Sequence, residues 1–215
     1  MHNIPNNNNV VLTGSIVTVY SYSHKTFGEK FFLFTLKADR LSGNSDLIRV
    51  IVSERIVDVS EDMTGKYITV TGQLRSFNSR HSDGKNHLLL FVFAKEINFY
   101  TPTEAPIFDE NKISLDGYIC KPVIFRTTPS GRYISDLVLA VNRPYTQKTD
   151  YVPCILWGRN ASFAEKLPVG TRIEIEGRIQ SRDYQKRISE ENFETRTAYE
   201  VSASKIEVVE DSNNE

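Results

Sequence analysis

The stretch RIEIEGRI, residues 172–179, decides the fold. Ile173, Ile175 and Ile179 alternate with Glu174, Glu176 and Arg178. That two-residue period marks a strand with one buried face. Gly177 takes an inward place, as expected where a barrel strand bends. The chain writes the pattern a second time as YITVTGQL, residues 67–74, with Ile68, Val70, Gly72 and Leu74 inward.

The repetition extends outward in order. Leu12 and Gly14 match Leu115 and Gly117, and Gly28, Phe31, Phe34 and Leu36 match Gly131, Ile134, Leu137 and Leu139. Asp46, Ile48, Val50 and Val52 match Asp150, Val152, Cys154 and Leu156, and Gly65 matches Gly170. The spacing stays between roughly 103 and 105 residues, so one unit is written twice.

Each unit reads as a glycine-containing strand, a turn at Gly28 or Gly131, two further strands, a helical stretch and two last strands. In the second unit Ala161, Ala164 and Leu167 of RNASFAEKL recur at helical spacing. The matching ERIVDVSEDM, residues 54–63, is rich in β-branched residues and makes a weaker helix. The expected fold class is all-β: two tandem OB-fold barrels of five strands, each with a short helix between strands three and four. The expected divisions are a disordered leader over 1–9, a first barrel over 10–100 and a linker over 101–112. A second barrel over 113–209 and a short acidic tail over 210–215 follow.

Composition narrows the function. The chain has 215 residues, a net charge of −1 and two cysteines, Cys120 and Cys154, set far apart. No apolar run spans a membrane and no signal layout opens the chain, so a reducing, cytoplasmic setting is expected. From Lys121 to Arg187, twelve basic residues face six acidic ones, a local excess of +6 that the acidic stretch Glu207–Glu215 offsets. That sign suits a phosphate backbone.

A stripe in the second unit gives this charge a use. In DYVPCILWGR, residues 150–159, Val152, Cys154 and Leu156 take one face while Tyr151, Ile155 and Trp157 take the other. In GRIQSRDY, residues 177–184, Arg178, Gln180, Arg182 and Tyr184 share the outward face. Rings beside guanidinium groups form a stacking platform for unpaired bases; packing against a neighbouring domain is the competing reading.

At this point the second unit resembles the bacterial single-stranded DNA-binding protein family. The resemblance rests on FRTTPSGRY, LVLAVNRPY, DYVPCILWGR, LPVGTRIEIEGRIQSRDY and TAYEVSASKIEVVE, nearly all of residues 113–210. It implies stacking of bases on Tyr145, Tyr151, Trp157 and Tyr184. Arg143, Arg159, Arg178 and Arg182 are the expected phosphate contacts, with cation–π attraction to the bases' neighbours. The expected activity is sequence-nonspecific binding and protection of single-stranded DNA in replication, recombination or mobile-element transfer, with replication or recombination proteins as further partners. Family members commonly assemble four OB domains, which two chains of this kind would supply as a homodimer.

The sequence departs from the family pattern. It carries two units, ends without a proline-phenylalanine tip, and places Pro153 inside a strand. In the first unit the stacking positions hold Leu47, Ser53 and about Ser79. Phe77, with Arg75 and Arg80, is a weaker candidate site there. This depletion supports the alternative, an OB-fold adaptor that docks proteins of a primosome or conjugation complex. His81 and His87 lack a third ligand, so no metal or other cofactor is expected. No phosphate-cradling loop or catalytic triad is present, and an enzyme is not expected.

Overall fold

The computed structural model describes residues 7–80, 86–101, 103–106, 108–144, 146–187 and 193–210. The first unit contains β1 (Asn8–Ile16), β2 (Ser21–Thr26), β3 (Glu29–Asp39), β4 (Ser45–Ser53), β5 (Tyr67–Arg80) and β6 (Asn86–Phe99). The second contains β7 (Asn111–Ile119), β8 (Ile124–Thr127), β9 (Tyr133–Asn142), β10 (Thr149–Trp157), helix α1 (Arg159–Ala164), β11 (Arg172–Arg187) and β12 (Phe193–Val208).

The strands follow one order, β2-β3-β4-β6-β5-β1-β7-β11-β12-β10-β9-β8, and each half closes on itself through β1–β3 or β7–β9. Each closed half is a five-stranded barrel with one parallel pair, β4 with β6 and β10 with β12. The expected inward residues fill the two interiors: Ile68, Val70, Leu74, Ile173, Ile175 and Ile179 are all buried. Gly177 sits at a break in the β11–β12 register, where an added Cβ would lie 2.2 Å from the Ser202 carbonyl oxygen. Gly72 repeats that arrangement 2.3 Å from the Phe93 carbonyl. Only a residue without a side chain lets the strands close here.

The structure corrects one expectation, the first-unit helix, and adds detail to the others. β2 and β8 add a sixth, edge strand to each unit. Every residue of β2 is exposed, so it carries no alternating pattern from which to read it. The first unit has no helix after β4. There Asp58 and Asp62 accept the backbone N–H groups of Ser60 and Thr64, each at 2.9 Å, and these side-chain turns replace helical bonds. β1 begins at Asn8, within the stretch read as a leader; residues 1–6 of that stretch lie outside the described residues. The linker likewise ends early, with β7 beginning at Asn111.

The two barrels join edge to edge. β1 and β7 pair antiparallel, from Asn8 opposite Leu115 to Leu12 opposite Asn111. The join is nearly symmetric. Asn8 donates to the Leu74 carbonyl (2.7 Å) and accepts the Leu74 N–H (2.9 Å), while Asn111 does the same with Ile179 at 2.7 and 2.9 Å. Among the described residues, no helix is long and apolar enough to cross a membrane.

Candidate nucleic-acid interface

The rings of the second barrel are exposed on β10 and β11, two strands with β12 between them. Tyr151 and Trp157 are 45% and 41% exposed at the two ends of β10, and Tyr184 is 38% exposed on β11. Ile155, between the first two, is only 5% exposed, with Asp136 and Ser202 beside it in the ladder. Between the two β10 rings the surface is therefore one nearly buried isoleucine flanked by polar residues. Tyr145, the fourth expected ring, lies outside the described residues.

Pro153 does not break β10. The strand keeps register with β9 throughout, with Pro153 opposite Val138. The Tyr151 N–H points the other way, donating to Ser76 Oγ at 2.8 Å. Two residues later the missing proline N–H falls on that same side, just before pairing with β12 begins at Cys154.

Ser76 belongs to the first barrel, and its bond to Tyr151 is one part of a clamp between units. The fully buried Asp150 carboxylate accepts from Ser76 N (2.7 Å), Arg75 Nη1 (2.9 Å), Arg143 Nε (2.9 Å) and Arg143 Nη2 (2.6 Å). The other half of the molecule repeats it. Asp46, also fully buried, accepts the Ser181 N–H at 3.1 Å and pairs in a fork with Arg40, and the Leu47 N–H donates to Ser181 Oγ at 2.9 Å. Each barrel thus sends its long hairpin, β5–β6 or β11–β12, against the third barrel strand of the other. Arg49 adds a cation–π contact over the Tyr199 ring, 4.6 Å from its centre.

The clamp gives two of the expected cations a protein partner. Arg143, read as a phosphate contact, is a forked partner of Asp150 and also reaches the Ser76 carbonyl at 3.2 Å. Arg75, read as part of a weaker first-unit site, is held by the same carboxylate. A buried carboxylate demands such partners, and the strand sequence alone does not say which cation supplies them.

The remaining expected cations differ in freedom. Arg182 is exposed, with Glu200 at 4.0 Å. Arg159 is exposed at the start of α1 and lines a shallow cleft with Tyr133, Phe163 and Lys166. Arg178 is half-buried; burial, then the like charge of Arg40, lowers its pKa from the usual arginine value. It remains protonated at any ordinary pH, since guanidinium does not deprotonate in proteins. In the first barrel Phe77 is exposed, while the side chain of Arg80 and the whole of His81 lie outside the described residues, as does the His87 side chain.

Sequence reasoning passed over Tyr133. It is exposed, lies 5.4 Å from Phe125 between ring centres, and shares a cleft with Gly131, Arg132 and Trp157. Its signal was the turn SGRY just before β9, which places a ring at a strand's first residue. Asp46 and Asp150 were visible as matched positions of the repeat, but nothing local marks an acid as buried.

Residues 110–209 match the model of the single-strand binding protein family. The match falls on the second barrel. Single-stranded DNA-binding protein A of Bacillus subtilis (strain 168) is 31% identical over 109 residues, covering 48% of this chain and 61% of that protein. Single-stranded DNA-binding protein 2 of Listeria monocytogenes is 31% identical over 110 residues, 48% of this chain and 66% of that protein. The chain therefore spans less than two thirds of these relatives. The likeness to a solved structure reaches further along the chain. The wild-type single-stranded DNA binding protein from Thermus aquaticus superposes with a TM-score of 0.75 at 21% identity, over 97% of this chain and 95% of that one. At that identity the likeness speaks for the two-barrel fold. The matched barrel is thus one half of a tandem whose other half has the same architecture.

Proposed function

We propose that this chain binds single-stranded DNA without regard to sequence, holding unpaired strand in replication, recombination or mobile-element transfer. One observation carries the reading: Tyr151, Trp157 and Tyr184 stand exposed on one barrel wall with Arg182 beside them, in a domain that matches the single-strand binding protein family. Every base has a π-face, so rings hold strand without reading it, at about 1–3 kcal/mol per stacked base. Guanidinium groups neutralise phosphates and make affinity depend on salt.

The chain acts by binding, without catalysing a reaction, and the family names of its relatives support that. Two chains associate as a homodimer that brings four barrels to one strand. Light scattering at micromolar concentration tests this: a mass near twice 24.6 kDa is expected, and a mass near 24.6 kDa contradicts it.

Trp157→Ala and Tyr184→Ala test the binding face. Each is expected to weaken oligo(dT) binding at moderate salt by at least about five-fold. Undiminished binding by both variants would remove the assigned face.

A further inference from the structure

The first barrel lacks rings at the positions where the second has them, yet the corresponding wall is not bare. Its cross-strand register sets Val92 opposite Leu74 as the second barrel sets Val201 opposite Ile179. Phe91 and Phe93 therefore take the places of Glu200 and Ser202, and Phe77 takes that of Arg182. His24 stacks on Phe31 with ring centres 4.9 Å apart and planes at 12°, and Phe31 meets Phe93 at 5.3 Å. Phe91 lies opposite Arg75, and Phe77, 58% exposed, is two residues farther along β5 on the same face. This wall thus carries rings at other positions than the second barrel does.

We propose that His24, Phe93, Phe91 and Phe77, with the buried Phe31 ring beneath His24 and Phe93, form a second base-stacking wall, over which the unpaired strand bound by the second barrel continues. The inference rests on the proposed DNA-binding function. Three observations favour a nucleic acid over an apolar protein segment or a second copy of the chain. The exposed and half-exposed apolar groups are mainly flat rings, the shape that a base covers. The row ends at Phe77 on β5, whose neighbour Ser76 accepts the Tyr151 backbone N–H, so the strand that carries Phe77 meets the strand that carries Tyr151. The meeting point is also cationic. One carboxylate, Asp150, serves two guanidinium groups, Arg75 and Arg143, which leaves one net positive charge beside the path. A phosphate compensates that charge and an aliphatic partner does not.

The row reaches a further ring at the β2–β3 hairpin. Phe27 is fully exposed at its tip with φ of 48°, a conformation that a non-glycine residue rarely holds. A large apolar side chain placed in that region without a packing partner is costly in the free protein. It extends the wall to the outer edge of the first barrel.

The chain's sole tryptophan, Trp157, reports on the second barrel alone, which makes the two walls separable. The test uses the full chain and two oligo(dT) lengths, about 10 nucleotides for one barrel and about 30 for both. Phe77→Ala is expected to weaken binding of the long oligomer by about five-fold or more and to leave the short one unchanged. In a Trp157→Phe, Phe77→Trp chain, the introduced indole is expected to be quenched by the long oligomer. Phe77 is exposed, so neither change threatens folding. If Trp157 in the parent chain is quenched while both Phe77 variants show no effect, the first wall does not carry strand and this inference fails. If the introduced indole responds to protein concentration and not to DNA, the wall is a contact between copies and the inference also fails. If Trp157 itself is not quenched, the underlying DNA-binding reading fails instead.

Discussion

Ser76 of the first barrel and Asp150 of the second are joined by a 2.7 Å bond from the serine backbone N–H to the buried carboxylate. The same serine's hydroxyl takes the N–H of the next residue, Tyr151, at 2.8 Å. A residue of one barrel therefore fixes the backbone that carries a ring of the other. Ser181 and Asp46 repeat the relationship in reverse, so the two barrels act as a mutually braced pair.

Removing the acid should unlock that brace. Asp150→Ala leaves Arg75 and Arg143 without their shared partner in a partly buried site. Uncompensated charge of this kind costs about 3 kcal/mol or more. Urea unfolding should show a midpoint shifted down accordingly, and Asp46→Ala should behave alike. An unchanged midpoint for both would mean that the clamp does not hold the barrels.

Closure of each barrel should depend on a missing side chain. Gly177→Ala places a methyl group against the Ser202 carbonyl at 2.2 Å. Backbone must move, and a loss of several kcal/mol is expected, on the scale of other overpacked cores. Gly131→Ala, at an open turn with φ of 78°, should cost only about 1 kcal/mol. The comparison of their thermal midpoints checks the ranking.

Alkaline pH should weaken the first barrel through Tyr67. Burial, then a hydrogen bond donated to the Asp109 carboxylate, raises the pKa of its hydroxyl above the usual tyrosine value. The folded state thus holds the proton more tightly than the unfolded chain. Its contribution is complete below the unfolded value near 10 and falls as pH rises from there toward the folded value. Tyr67→Phe should be less stable than the parent at pH 8, and the gap should narrow by pH 11. A gap independent of pH would contradict the assignment.

The cysteines should differ in reactivity. Burial pushes the Cys154 thiol far above its usual range, and it is sealed inside the second barrel. Cys120 is half-buried and shifted upward more modestly by the same cause. Thiol titration at neutral pH should modify Cys120 slowly and Cys154 only on unfolding. Equal rates in the native protein would show that the barrel opens.

What was legible in the sequence was what repeats at short range. The alternation in RIEIEGRI and YITVTGQL, with glycine in register, placed the barrel strands and their buried faces. β2 stayed hidden because its residues are exposed on both sides and show no period. The first-unit helix failed because Asp58 and Asp62 bond to backbone two residues ahead. The clamp was illegible for another reason: Ser76 and Asp150 lie 74 residues apart, and only closure of both barrels brings them together. The pairing of Arg143 with Asp150 was hidden too: both residues stand in the sequence seven positions apart, but only the fold brings them together in a buried site.

The central claim is that exposed rings of the second barrel stack on unpaired bases while nearby cations meet phosphates. Titrating the intact chain with oligo(dT) and following Trp157 emission tests it most directly. The account predicts strong quenching that saturates and an affinity that falls steeply as salt is raised. Emission that stays constant through a saturating excess of oligomer at low salt would contradict it.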